Sequence, residues 1–222
     1  MCIRDRPTAI LTGNFLLARA LEHLSQIEDH RIHLTLSEAI IEVCRGELFQ
    51  FQDQFRATQS MTNYLRRINR KTALLIQLAT EVGAMTAEAD TETVRKMRNI
   101  GHNIGMSFQI IDDVLDFTST EKKLGKPVGS DLRNGHMTLP VLLEMRNNPT
   151  FKEKVVTLNR QSDTADFEWC INQIRNSDVI QQSLDISQKY LDKATSLLDT
   201  LPKSDITPHF KKLIKRLQNR MH

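Results

Sequence analysis

Residues 110–116 read Ile110-Ile111-Asp112-Asp113-Val114-Leu115-Asp116, three carboxylates set into an apolar run. On a helix turning about 100° per residue, Asp112, Asp116 and Asp113 fall near 0°, 40° and 100°, on one face. Helix formation does not favour this, because Asp is a poor interior former and like charges at i,i+4 repel. Three carboxylates between residues that want burial need a counter-charge. A divalent cation supplies one, and hard oxygen ligands suit Mg²⁺. That ion takes one or two protein carboxylates and completes its shell with water and substrate phosphates. The segment therefore predicts a helical scaffold, a metal and a phosphorylated ligand together.

The rest of the chain carries helical signals. Apolar residues recur at helical spacing over residues 8–27 (Ile10, Leu11, Phe15, Leu16, Ala18, Leu21, Leu24) and 31–55 (Ile40, Ile41, Val43, Cys44, Leu48, Phe51). A third helix is expected over 62–85 with Thr62 as N-cap, and a fourth region over 90–116, a short helix running into the aspartate-bearing one. Residues 118–138 break the periodicity with Gly125, Pro127, Gly129 and Gly135, and a loop of that length is usually functional or disordered. Further helices are expected over 139–145, 163–176, 177–201 and 208–218. No alternating β pattern occurs, and 222 residues suffice for one all-α domain.

Composition narrows the function classes. A net charge of +3 is too mild to imply nucleic acid. The basic run Lys211-Lys212-Leu213-Ile214-Lys215-Arg216 offers phosphate or peripheral membrane contact, with a solvated helix face as the competing reading. Cys2, Cys44 and Cys170 show no metal spacing and cannot all pair, which fits a reducing cytoplasm, and Cys44 and Cys170 are expected in the core. No apolar run approaches the roughly 20 residues of a membrane span. Residues 1–6 lack the apolar stretch of a signal peptide, and their alternating charges fit poorly with the amphipathic segment beginning at Thr8. Residues 1–7 are therefore expected to be non-native or disordered, and 8–222 to form the domain, beginning inside a longer protein.

Extending the wheel upstream, Gln109, Gly105 and Gly101 land near 60°, 20° and −20°, on the aspartate face. Helical glycines are costly, so the pair is expected to leave a bare groove for an elongated ligand; close helix packing at G-x-x-x-G is the alternative. On the third helix, Leu65, Ile68, Thr72, Leu75 and Ala79 mark a buried stripe, and Arg66 and Arg70 are expected to be solvated. Lys71 flanks the stripe, where its stem can bury and its ammonium can meet a phosphate; a snorkelling surface lysine is the alternative. In the loop, Lys126 can neutralise a leaving phosphate, Asp131 can hold a lysine or a metal-bound water, and His136 can reach the same cavity or be inert. Serine or cysteine triads and zinc spacings are absent from the sequence.

Phe108-Gln109-Ile110-Ile111-Asp112-Asp113-Val114-Leu115-Asp116, with Gly125-Lys126 and Asp131 after it, resembles the second aspartate-rich region of trans-isoprenyl (polyprenyl) diphosphate synthases. Leu11-Thr12-Gly13-Asn14-Phe15-Leu16-Leu17-Ala18 is similar to that family's L-x-G-D-x-L-x-A helix. Gly46-Glu47 with Gln50 resembles its G-[EQ]-x-x-[DQ] segment, and Lys71-Thr72 its K-T pair. The resemblance spans residues 8–222, and the local wording is most similar to the branch in which a large component 2 makes heptaprenyl diphosphate for menaquinone. It implies the isoprenoid-synthase helical bundle without its N-terminal helices. It also implies Mg²⁺ on Asp112, Asp113 and Asp116, catalytic roles for Lys71, Thr72, Gln109 and Lys126, and substrate contacts from these four with Phe108 and Asp131. The implied substrates are isopentenyl diphosphate and an allylic prenyl diphosphate. The implied partner is a second copy or a small component 1 subunit.

Three departures qualify that resemblance. The family's first D-D-x-x-D and its R-R motif do not occur in these 222 residues, so the polypeptide alone is expected to be inactive. Asn14 stands where the family has aspartate, and His136-Met137-Thr138 where many members place a lysine. A terpene cyclase and a non-catalytic partner subunit are the competing readings. The K-T pair and the G-K…D loop weigh against the first, and the intact D-D-x-x-D against the second.

Overall fold

A computed structural model of the chain describes residues 5–120, 125, 127–202 and 204–220, with side chains from residue 7 onward. The elements are α1 (Asp5–Leu24), α2 (His30–Gln52), α3 (Met61–Ile68), a π-turn (Asn69–Ala73), α4 (Leu74–Thr86), α5 (Thr91–Thr118), α6 (Ser130–Arg133), α7 (Leu139–Asn147), α8 (Pro149–Thr157), α9 (Thr164–Arg175), α10 (Val179–Leu198) and α11 (Ile206–Asn219). No strand occurs among the described residues, so the all-α expectation holds. Asp5 and Pro7 already belong to α1.

The bundle is organised around α5. This 28-residue helix is continuous, not a short helix leading into a second one, and Asp90 caps it by accepting from the backbone N–H of Glu92 and Thr93. α5 packs most extensively against α4 and α10. Met106, Ile110 and Phe117 face one apolar cluster with Tyr64, Leu139, Phe151 and Ile174. Met97, Ile100, Ile104 and Ile111 face a second, with Leu191, Leu198, Ile214 and Leu217. One helix is thus the shared wall of two cores, which explains its apolar content on more than one face.

Three expectations are corrected here. The helix expected over 62–85 is interrupted by the π-turn, and Ser60, not Thr62, is its N-cap, accepting from the N–H of Asn63 at 3.2 Å. A π-turn takes up one extra residue, so downstream side chains rotate out of α register. Leu75 and Ala79, expected in the buried stripe, are therefore exposed, and Ala73, Gln77, Glu81 and Ala84 point inward. Arg66 is solvated as expected, but Arg70 pairs with Glu42 at 2.8 Å and lies over the Phe49 ring. Cys44, expected in the core, is exposed on α2; Cys170 is buried. α8 was not anticipated, although Asn148 before Pro149 is a start signal, its side chain accepting from the N–H of Phe151 at 3.1 Å.

The expected glycine groove is also absent. A Cβ on Gly101 would stand 2.1 Å from Thr80 Oγ1 and 2.8 Å from Gln77 Cα, and one on Gly105 would stand 2.5 Å from Ala73 Cα. The two glycines let α4 and the π-turn approach α5 backbone to backbone, which is the close-packing alternative. By contrast, a Cβ on Gly83 meets nothing within 4 Å.

Gly105→Ala is expected to lower unfolding stability by about 1–3 kcal/mol through overpacking, whereas Gly83→Ala should raise it by up to about 1 kcal/mol through helix propensity. Urea unfolding of both variants reads the contrast. Equal and small effects would show that the interface yields at Gly105.

Candidate functional site

The last turns of α5, the start of α3, the π-turn, the end of α2 and the loop after α5 meet around a cavity of about 50 Å³. Its walls are Gln50, Arg67, Ile68, Lys71, Gln109, Asp113, Asp131, His136 and Thr138. Residues widely separated in the chain reach it for identifiable reasons. Gly46 lets α2 lie against the π-turn, since a Cβ there would stand 2.9 Å from Arg70 Cβ. Gln50, one turn further along α2, accepts from Lys71 Nζ at 3.0 Å. Lys71 also lies 3.6 Å from Glu47.

Asp113 is the centre of the polar network. Its buried Oδ2 accepts from the Tyr64 hydroxyl at 2.8 Å, and its Oδ1 from Gln109 Nε2 at 2.8 Å. Gln109 Oε1 in turn accepts from Thr72 Oγ1 at 2.6 Å, so α3, the π-turn and α5 are joined in one relay. Burial pushes the Asp113 carboxyl up to about 7, against the opposing effect of the two donors. Burial likewise raises the Tyr64 phenol well above its ordinary range, with Asp113 adding to the effect. Arg67 is buried between them and donates to the Met137 carbonyl at 2.6 Å. Burial lowers its pKa, and Asp113, Tyr64, Asp53 and Asp131 oppose that shift.

The three aspartates sort by exposure. Asp112 is exposed, whereas Asp113 and Asp116 are buried. Asp116 holds the loop beyond α5: its Oδ2 accepts from the N–H of Asp131 at 3.0 Å, and its carbonyl from the N–H of Gly129 at 2.9 Å. Gly129, at φ +66°, turns the chain into α6. Gly135, at φ +80°, lies so close to Phe55 that a Cβ would stand 2.7 Å from the Phe55 nitrogen. The N–H of Phe55 donates to the Gly135 carbonyl at 2.8 Å. That contact sets His136 beside Gln50, with 3.3 Å between His136 Nε2 and Gln50 Nε2.

Of the residues singled out in the sequence, Lys71, Gln109, Asp113, Asp131 and His136 share the cavity, and Thr72 bonds to its wall. Asp112 and Asp116 flank it. Phe108 lies elsewhere, packed against the second apolar cluster with Arg220 over its ring at 5.5 Å. Lys126 lies outside the described residues. Tyr64, Arg67 and Thr138 were missed. A tyrosine three residues before an arginine on one helix is a weak signal, and neither residue type at that spacing implies a ligand.

Among the described residues, no three His, Cys, Asp or Glu side chains form a group that could hold a metal ion without outside ligands. The donor chemistry still fits Mg²⁺, which needs only one or two carboxylates beside water and phosphate. Asp112 offers an exposed carboxylate, and buried Thr138 Oγ1 has no hydrogen-bond partner among the described residues. The site therefore has polar capacity left for a ligand.

A bundle of helices around one long carboxylate-bearing helix, faced by a lysine–threonine pair on a π-turn, is the isoprenoid-synthase architecture. The chain belongs to the polyprenyl synthetase family, whose model matches residues 2–174. It is 44% identical over 211 residues to heptaprenyl diphosphate synthase component 2 of Geobacillus stearothermophilus, covering 91% of this chain and 66% of that relative. The crystal structure of heptaprenyl diphosphate synthase from Staphylococcus aureus superposes with a TM-score of 0.94 at 62% identity, covering 98% of this chain and 69% of that one. A polyprenyl synthase from Caulobacter crescentus CB15, complexed with calcium and isoprenyl diphosphate, gives 0.87 at 32% identity over 97% and 67%. The chain thus spans about two thirds of the length of these relatives.

Tyr64→Phe is expected to cost about 1–3 kcal/mol, because it leaves a buried carboxylate oxygen without its donor. Guanidinium unfolding at neutral pH measures it; a loss of only a few tenths would mean that Gln109 alone holds Asp113.

Proposed function

We propose that this chain is the greater part of the catalytic subunit of a heptaprenyl diphosphate synthase, which lengthens an allylic diphosphate by head-to-tail trans condensation with isopentenyl diphosphate. The observation that carries the reading is the convergence of Lys71, Thr72, Gln109 and Asp113, from two separate segments, on one cavity beside the exposed Asp112. The component 2 relative and the isoprenyl diphosphate bound to the Caulobacter neighbour support the substrate class.

Mg²⁺ would be held through the Asp112, Asp113 and Asp116 face, with Asp112 the most accessible, and would supply Lewis-acid stabilisation of the diphosphate. The chain's own groups do the rest. The Lys71 ammonium stands beside the cavity as a point charge for the departing pyrophosphate, with Lys126 proposed for the same task. Gln109 is held in one amide orientation by Thr72 on its oxygen side and Asp113 on its nitrogen side. Arg67 and Asp131 complete the polar wall. As the allylic C–O bond breaks, its electron pair leaves with pyrophosphate, and the C=C electrons of isopentenyl diphosphate attack the allylic carbon. Loss of a proton, taken by pyrophosphate, restores an allylic diphosphate one C₅ unit longer. Water has to be excluded, because it would trap the cation. Phe108 is proposed as a substrate contact.

The product would serve the menaquinone side chain. A second copy or a small component 1 subunit is the proposed partner, and α1, whose Ile10, Leu11, Phe15 and Leu16 are all more than 60% exposed, is the surface that suits it. The basic face of α11 suits peripheral contact with an anionic membrane, and a cytoplasmic location fits this assignment. The 222 residues hold one aspartate-rich motif, so they are proposed to bind diphosphate without elongating a chain by themselves.

Isothermal titration should show Mg²⁺-dependent binding of farnesyl diphosphate, weakened roughly ten- to a hundredfold by Asp112→Asn and similarly by Lys71→Ala. Labelled isopentenyl diphosphate should enter no product with the chain alone. Binding that ignores Mg²⁺ and both variants would refute the metal–diphosphate site. Efficient elongation by the isolated chain would refute the claim of inactivity.

A further inference from the structure

Arg67 also lines a second, larger cavity of about 320 Å³, between the end of α2 and the face formed by α3 and the π-turn. Its wall contains Arg56, Arg66, Arg67 and Arg70, with Asn63, and Asp53 as the carboxylate among them. The positive charges are incompletely matched. Arg56 lies 3.6 Å from Asp53, and Arg70 pairs with Glu42 at 2.8 Å. Arg67 is bonded to neutral acceptors, the Met137 carbonyl and the Gln59 side chain. Arg66 has no carboxylate partner among the described residues and is exposed. Four guanidinium groups around one concavity repel one another unless an anion joins them. Their planar donor forks match the oxygens of a phosphate in a way that a lysine cluster does not.

We propose that this arginine-lined cavity is a metal-independent subsite for a diphosphate anion. The anion class comes from the guanidinium set itself. The choice of diphosphate over carboxylate rests on the reading of the adjoining cavity, with which it shares Arg67. The anion can come from two sources in the proposed reaction, the headgroup of a prenyl substrate or the pyrophosphate released at each addition. Either way, Arg67 links the subsite to Asp113: it lies over the Tyr64 ring at 5.6 Å, and Tyr64 donates to Asp113.

Isothermal titration of inorganic pyrophosphate into the 222-residue chain in EDTA tests this directly. Saturable binding is expected, weakened about tenfold by Arg66→Ala and about tenfold by Arg56→Ala, and partly restored in Arg66→Lys. Both side chains are exposed, so thermal melting of the variants should match that of the parent chain, which separates lost binding from lost folding. Asp112→Asn should leave this binding unchanged, so that failure of the metal-dependent site and failure of this subsite give different results. Isopentenyl diphosphate competing with pyrophosphate assigns the subsite to a substrate headgroup; binding of pyrophosphate alone assigns it to the product, and both support the proposal. Absence of binding in EDTA, insensitivity to both arginine variants, or equal competition by succinate would overturn it.

Discussion

Burying the carboxyl of Asp113 inside a helical bundle obliges the surrounding structure to supply donors, and much of the site is a response to that demand. An unpaired polar group at this depth would cost several kcal/mol, so a partner has to come from each available side. α5 provides Gln109 one turn back, and α3 provides Tyr64. Once Gln109 gives its amide nitrogen to Asp113, its oxygen is committed to a donor, and Thr72 fills that place. A network satisfied in this way fixes side-chain orientation as well as energy, and polarised chains of hydrogen bonds reinforce one another. The pair Lys71-Thr72 is thereby positioned by the needs of a neighbouring residue.

That relay can form only because two backbones come unusually close. Gly101 and Gly105 strip one face of α5, and Ala73 with the backbone around Gln77 moves into the space. The π-turn then lets one continuous rod of residues 61–86 satisfy two demands. Before the turn, Tyr64 and Arg67 face the polar site; after it, Ala73, Gln77 and Ala84 face the rest of the bundle.

The fold class and the aspartate helix were legible in the sequence, because both depend on local spacing. Asp112, Asp113, Asp116 and Gln109 needed only a regular helix to be placed on one face, and α5 is regular. Lys71 and Thr72 were legible chiefly through resemblance, since a uniform 100° step fails across a π-turn and made Leu75 and Ala79 look buried. Glycines at 101 and 105 revealed that something approaches closely but not what; the occupant is a helix, not a ligand. Cys44 shows a similar limit. Helical spacing marks an apolar face without saying what covers it, and on α2 it also left Ile41 and Leu48 exposed. Tyr64, Arg67 and Thr138 were hidden because their roles exist only in three dimensions, across contacts between distant segments.

The π-turn makes residues 61–86 behave like two gears on one shaft with a fixed phase offset between them. Substitutions within Asn69–Ala73 change the teeth but keep the phase. Removing a single residue there would let the α pitch run through, turning everything beyond it by about 100° against α5. Either the wall facing the carboxylates or the face packed on Gly101 and Gly105 would then be out of mesh. This short stretch should accordingly vary in composition far more freely than in length.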